Sequence, residues 1–222
     1  MAIGLIIFDC DGVIADSEVL SAEVLIDQLA DIGIAITMDD VRRDFLGRSF
    51  PTVAATIRSR FDRPLPDGFE AAYRARLLDR FQTDLAQTPG FATMLRGLGM
   101  PACVATSSSP PRVARTLQIL GLTDDFGPHV FTASQVEHGK PAPDLFLFAA
   151  RRMGRRPQDC LVIEDSLPGI QAGISAGMSV LSYRGGSHLR DLPRPDLTVD
   201  SFDNWADFPQ LLDRIHANGN GT

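Results

Sequence analysis

Two carboxylates at the end of an apolar run set the chemistry to look for in this chain. The run is Leu5-Ile6-Ile7-Phe8, followed by Asp9-Cys10-Asp11-Gly12. Burying unpaired carboxylates costs several kcal/mol or more, so a strand that delivers them needs a cation or dense hydrogen bonding at its end. A second acidic pair, Glu164-Asp165, follows the apolar run Leu161-Val162-Ile163 and precedes Ser166. Hydroxyls cluster at Thr106, Ser107, Ser108 and Ser109, again after an apolar run, and Lys140 lies in Gly139-Lys140-Pro141-Ala142-Pro143-Asp144.

An all-oxygen acidic set suits a hard divalent cation, and Mg²⁺ is the usual choice where phosphate oxygens complete its shell. His129, His138, His188 and His216 lack zinc-ligand spacing and read as surface or satisfied polar residues. Hydroxyls and N–H groups at 106–109, at a helix start, would cradle anionic oxygens, and Lys140 would add a point charge. Taken singly, each segment has a plainer reading: hydroxyls before proline cap helices, and a loop lysine is solvated. Together, at successive strand ends, they favour a metal-assisted phosphate site. An aspartate can attack phosphorus directly and form an aspartyl-phosphate. Asp9 would then be nucleophile and metal ligand. Asp11 would protonate the leaving oxygen and later deprotonate the attacking water. Mg²⁺ and Lys140 would hold charge on the transferring group. The chain has no G-x-x-x-x-G-K-S/T loop and no early G-x-G-x-x-G, which turns the reading away from ATP-driven and dinucleotide chemistry.

Apolar spacing predicts the elements that position these groups. Residues 3–8 read as a buried strand. Val19, Leu20, Ala22, Leu25, Ile26 and Leu29 recur at helical spacing, with Gly33 as a C-cap. Thr37 opens a second helix with Asp40 in its first turn, and Ser49 with Pro51 opens a third that runs towards Phe61. A fourth, about 66–85, carries Phe69, Tyr73, Leu77 and Phe81. Beyond Pro89-Gly90, strand-like runs at 101–106, 129–132, 159–163, 178–182 and, more weakly, 197–200 alternate with helical runs at 91–98, 110–120, 143–153, 167–176 and 204–217. Continuous apolar strands between helices mean a parallel sheet covered on both faces, an α/β Rossmann-like architecture whose ligands bind beyond the C-terminal strand ends. The expected division is a core at 1–15 and 88–222 with a four-helix cap inserted at 16–87. The tail from Asn218 is expected to fray.

With 222 residues and 44% hydrophobic content, the chain can bury a sizeable core. A formal charge of -7 argues against a general nucleic-acid or membrane-surface binder. Cys10, Cys103 and Cys160 lack C-x-x-C spacing and read as small buried apolar residues rather than a disulfide framework. Strand alternation would point Cys10 away from its acidic neighbours. No apolar run of about 18 residues is present, and the first ten residues lack the pattern of a signal peptide. Cytoplasmic location is the expectation, as a monomer or, alternatively, a dimer.

Four segments in order, Phe8-Asp9-Cys10-Asp11-Gly12-Val13-Ile14-Ala15-Asp16-Ser17-Glu18, Val104-Ala105-Thr106-Ser107-Ser108-Ser109, Gly139-Lys140-Pro141-Ala142-Pro143-Asp144 and Val162-Ile163-Glu164-Asp165-Ser166-Leu167-Pro168-Gly169-Ile170, span most of the chain. This pattern resembles the haloacid dehalogenase-like hydrolases, in the branch of small phosphatases and β-phosphoglucomutase with a helical cap. The resemblance implies Asp9 as nucleophile and Asp11 as acid/base. It implies Asp9, the Asp11 backbone carbonyl and Asp165 as Mg²⁺ ligands, with Glu164 close behind. Thr106 and the Ser107 amide would bind phosphate, Ser108 would line the same site, and Lys140 would neutralise charge. Asp16 would sit at the cap hinge, although Asp16-Ser17 alone read as a helix N-cap pair.

Gly47, Arg48 and Ser49 are expected to form a cap loop over the site, where Arg48 could grip a carboxylate or second phosphate or could simply be solvated. Mutases of this branch carry a histidine shortly after the first motif and an arginine after the cap glycine. The matching positions here are Ser21 and Phe50, which favours a phosphatase and leaves a sugar phosphomutase as the alternative. Asp11 and Gly12 argue against a dehalogenase. The resemblance points to phosphorylated sugars and sugar acids, including 6-phosphogluconate-type substrates, or to phosphoglycolate. A closing cap leaves room for a small ester and keeps out bulk water. A non-catalytic phosphosugar- or partner-binding protein is the reading of another class.

Overall fold

The computed structural model describes residues 3–190, 192 and 199–219. Its first strand, β1 (Leu5–Phe8), is fully buried and lies at the middle of the sheet. It pairs in parallel with β2 (Ala102–Thr106) on one side and β4 (Cys160–Glu164) on the other, placing Phe8 opposite Val104 and Ile163. With β3 (Val130–Thr132), β5 (Ser179–Tyr183) and β6 (Ser201–Phe202), the parallel order is β3-β2-β1-β4-β5-β6. This register is why Asp9, Thr106 and Glu164 leave the sheet at the same edge.

Alternation along β1 divides the core in two. Ile6 and Phe8 join Phe91, Val113, Leu117, Trp205 and Phe208, supplied by α5 (Phe91–Gly97), α6 (Pro110–Ile119), the Trp205 turn and α10 (Phe208–Gly219). Leu5 and Ile7 join Phe146, Ala149 and Ala172 from α8 (Asp144–Arg152) and α9 (Leu167–Ser175). The cysteines are free and buried, and Cys10 packs in the first cluster.

Between β1 and α5 lie α1 (Glu18–Ala30), α2 (Met38–Asp44), α3 (Phe50–Phe61) and α4 (Phe69–Asp84). They bury a separate apolar cluster that includes Leu25, Leu29, Ile57, Tyr73, Leu77 and Phe81. Thr37 and Asp40 form a reciprocal capping box on α2. Arg60 of α3 reaches Asp40 and Asp44 at 2.6 and 2.8 Å. Two chain crossings join this helical block to the sheet: Asp16 N–H donates to Ala86 O, and Thr88 N–H donates to Ile14 O, each at 2.9 Å.

Some sequence expectations shift. A short helix, α7 (Thr123–Phe126), was not expected; four residues carry too little periodicity to register. Helix α4 starts at Phe69 rather than 66, because Gly68 stands in a left-handed conformation (φ 75°) before it. Of the weak strand at 197–200, residues 197 and 198 lie outside the described residues, and the described strand is Ser201–Phe202. Residues 220–222 of the tail also lie outside them, while α10 runs to Gly219. Ser17 makes no side-chain cap on α1; its hydroxyl is used elsewhere. Among the described residues no helix is long and apolar enough to cross a membrane.

Candidate active site

Asp9 leaves β1 with its N–H bonded to Ile163 O at 3.0 Å, which fixes its carboxylate beside the end of β4. Lys140 reaches in from the loop before α8. Its Nζ donates to Asp9 Oδ1 at 2.6 Å and to Glu164 Oε1 at 2.8 Å, with the side chain 1% exposed. The other oxygen of Glu164 accepts from Asp165 N–H, Ser166 N–H and Ser166 Oγ at 2.8, 2.7 and 2.9 Å. Asp9, Glu164 and Asp165 each present an oxygen within 4.8 Å of the others. Burial pushes the Asp9 and Asp165 carboxyls well above the ordinary carboxylate range, and the Lys140 ammonium opposes that shift.

Three buried carboxylates face one ammonium here, so ionising all of them leaves two negative charges without a counterpart. A divalent cation would supply that balance, and the donor set is all oxygen, as Mg²⁺ prefers. A further sign is Asp165 Oδ2, which is buried with no hydrogen-bond partner. His188 Nε2 lies 2.8 Å from it, yet the two do not meet in hydrogen-bond geometry, and both ring nitrogens of His188 are likewise unpartnered. Burial lowers the His188 pKa, so the contact is not an ion pair near neutral pH. Gly12 (φ 82°) permits this packing: a Cβ there would overlap Asp165 Oδ2.

The Asp11 side chain is not part of the acidic cluster. Its Oδ1 accepts from Ser17 Oγ at 2.6 Å and from the Arg112 guanidinium at 2.7 Å, and its Oδ2 accepts from Ser108 Oγ at 2.5 Å. Burial raises this carboxyl, but Arg112 and the two hydroxyls outweigh burial and hold it below its usual value. Glu18, at the start of α1, is pushed up to about 8, chiefly by burial and then by Asp11.

A cavity of about 400 Å³ opens beside these groups. On the sheet side it is lined by Asp9, Asp11, Thr106, Ser107 and Ser108, and on the cap side by Gly47, Arg48, Ser49 and Phe50. Thr106 is buried and its Oγ1 accepts from Ser108 N–H at 3.1 Å. Ser107 Oγ donates to Gly47 O at 3.1 Å, joining the phosphate-type loop to the cap loop. Arg48 is exposed at the cavity rim. Phe50 stacks on Tyr73 at 5.2 Å, and Ser21 Oγ donates to Ser17 O and accepts from Arg112.

Arg112 and His188 were missed in the sequence, as was the contact that holds Asp16, whose Oδ1 accepts from Ser187 N–H and Oγ at 2.9 and 2.8 Å. One signal pointed to Arg112: it stands in the first turn of α6, where the helix dipole disfavours a cation. Nothing local marked His188. The string Gly173-Ile174-Ser175-Ala176-Gly177 has nucleophile-elbow spacing, but Ser175 ends α9, exposed and bonded by Gln171.

Known proteins resemble this chain over nearly its whole length. It is 26% identical over 207 residues to the 6-phosphogluconate phosphatase of Escherichia coli (strain K12), covering 93% of each protein. It is 31% identical over 167 residues to the phosphoglycolate phosphatase of Shigella boydii serotype 4 (strain Sb227), covering 68% of this chain and 66% of that one. A crystal structure of a HAD family hydrolase from Deinococcus radiodurans R1, with bound phosphate and sodium, matches with TM-score 0.72 and 29% identity over 96% of both chains. The family model for haloacid dehalogenase-like hydrolases matches residues 3–177, a span that takes in both acidic pairs, the hydroxyl cluster and Lys140. The chain belongs to the haloacid dehalogenase-like hydrolases.

Proposed function

We propose that the protein is a Mg²⁺-dependent phosphomonoesterase that hydrolyses a small phosphorylated sugar or sugar acid through an aspartyl-phosphate on Asp9. The observation that supports it most is the buried group of Asp9, Glu164, Asp165 and Lys140 at the strand ends, beside a hydroxyl-lined cavity. Asp9, Asp165 and the Asp11 backbone carbonyl would hold the metal, with Glu164 behind them. When bound, it supplies positive charge to the phosphoryl oxygens.

The chain's own groups do the rest. Lys140 opposes the rise that burial imposes on the Asp9 carboxyl and fixes its orientation. Thr106 Oγ1 and the Ser107 N–H hold phosphoryl oxygens. An Asp9 oxygen bonds to phosphorus as the ester P–O bond breaks, and Asp11, which must first take up a proton from solvent against the pull of Arg112, Ser108 and Ser17, passes it to the departing oxygen. Asp11 then takes a proton from water, whose oxygen attacks phosphorus, releasing phosphate and restoring Asp9. Residues 16–87 act as the cap that excludes bulk water during transfer. The relatives named above act on 6-phosphogluconate and phosphoglycolate, both phosphorylated acids, which supports the substrate class. Ser21 and Phe50, at the positions expected to carry the mutase histidine and arginine, favour hydrolysis over mutation of the ester position.

The test is phosphate release from a broad panel of phosphorylated sugars and sugar acids, with Mg²⁺ and with EDTA. Release that needs Mg²⁺ is expected. Its absence across the panel would overturn the reading.

A further inference from the structure

Arg112 is an unfinished binding site. Its side chain is 17% exposed and lines the cavity beside Asp11 and Ser21. A guanidinium carries five N–H donors. One terminal nitrogen donates to Asp11 Oδ1 at 2.7 Å and to Ser21 Oγ at 3.0 Å, and the charged carbon lies 5.6 Å from the Phe81 ring centre. Nε is buried and has no partner. The other terminal nitrogen makes no hydrogen bond among the described residues and is not enclosed, so an acceptor arriving from the cavity can reach it. A planar carboxylate matches the fork of a guanidinium.

The neighbours leave that place open. Asp9, Glu18 and Glu137 also line the cavity; Glu18 is pushed up to about 8 by burial and Asp11, so near pH 7 it is mostly uncharged and competes weakly for the guanidinium. Arg74, also on the lining, is paired with Glu70. Arg48 is exposed and has no buried unpaired donor to satisfy. The nitrogen that Arg112 does use holds Asp11, together with Ser17 and Ser108.

We propose that Arg112 receives a second anionic group of the substrate, a carboxylate distal to the scissile phosphate. The proposal rests on the phosphatase reading and narrows it to phosphorylated acids over phosphorylated polyols. One guanidinium beside Asp11 balances a monoanionic carboxylate better than a second, dianionic phosphate. A substrate without the distal carboxylate still binds through its phosphate but forgoes this contact, so the preference reads in kcat/KM.

The experiment compares 6-phosphogluconate with glucitol 6-phosphate, which differ in one terminal carboxylate against an alcohol. In the parent protein kcat/KM should favour the acid by about 10- to 100-fold, the range of a charge-assisted hydrogen bond. Arg112→Gln should bring the ratio close to one, and Arg112→Lys, which keeps charge without the fork, should fall between. Calorimetric titration of both probes, with Mg²⁺, into Asp9→Asn and into Asp9→Asn with Arg112→Gln reads the same preference without turnover. Loss of discrimination only in the double variant supports the assignment. Failure of every phosphomonoester to be hydrolysed, with that binding preference intact, would sink the phosphatase reading and leave Arg112 assigned. Equal use and equal binding of the two probes by the parent would overturn the Arg112 proposal, as would a preference that survives Arg112→Gln. If Arg112→Gln does not fold by far-UV circular dichroism, Arg112→Lys decides, and an undiminished preference in it overturns the proposal.

Discussion

Asp9 and Asp11 are two residues apart, yet their surroundings pull their carboxyls in opposite directions. Asp9 is raised, chiefly by burial, while Arg112, Ser108 and Ser17 overcome burial at Asp11. Asp9→Asn should lower kcat by about a thousandfold or more, and Asp11→Asn by about 10²–10⁴-fold through lost proton transfer, both read by phosphate release at saturating substrate. Glu18 offers a separate pH test. Its folded pKa, about 8, lies above the ordinary glutamate value of 4.5, so the stability it contributes is complete below that lower value and is lost as pH rises through about 8. Denaturant titrations at pH 6 and pH 9 should show Glu18→Gln gaining stability relative to the parent at the higher pH. An unchanged difference would mean that Glu18 is not held protonated.

At the scale of elements, the chemistry depends on how each strand hands over to its helix. Ser166 caps α9, and its hydroxyl accepts from Gly169 N–H at 3.3 Å while also donating to Glu164. Gly169 leaves the space that the Glu164 carboxyl fills: a Cβ there would overlap both carboxyl oxygens. Gly169→Ala should therefore cost about 1–3 kcal/mol of stability by overpacking and weaken Mg²⁺ binding, measured by thermal unfolding and calorimetry. Most of these elements were legible beforehand, because continuous apolar strands and three- and four-residue helical spacing survive in the sequence. Asp9, Glu164, Asp165 and the hydroxyl cluster were legible too, since each follows an apolar strand, whereas Lys140 lies in the loop before α8 and stood out only beside them. Arg112 was not, because an arginine in an amphipathic helix looks like a solvated one. His188 was not, because only the folding of the turn after β5 against Asp165 gives it a partner. Ser17 was misread as a cap because the carboxylate it serves is in another segment's geometry rather than in its own helix.

At the scale of the whole molecule, the junction between sheet and cap is held by a buried relay. The Trp205 indole donates to Thr88 Oγ1 at 2.9 Å, and that hydroxyl donates to Val13 O at 2.5 Å. Thr88→Val would strand a buried donor and a buried acceptor and should lose about 2 kcal/mol or more, read by the emission of the single tryptophan during denaturant unfolding. Metal and protons also compete across the molecule. Burial raises Asp9 and Asp165, so the stability they contribute without metal is complete below the unfolded carboxylate pKa and is lost as pH rises through their folded values. Metal binding displaces those protons. The rise in Tm on adding Mg²⁺ should grow with pH and vanish with EDTA, and a rise independent of pH would count against metal binding at these carboxylates.

The placement of β1 between β2 and β4 has a consequence for how the molecule comes into being. The strand that bears Asp9 is translated before both of its partners, whose paired residues begin only at Ala102 and Cys160. The helices of the cap, consecutive from Glu18 to Asp84, bury an apolar cluster of their own and can pack while that strand still waits on the ribosome. A nascent chain arrested before residue 160 should thus display a folded helical lobe and no competent acidic pocket, so synthesis itself keeps the reactive carboxylates apart until the sheet can enclose them.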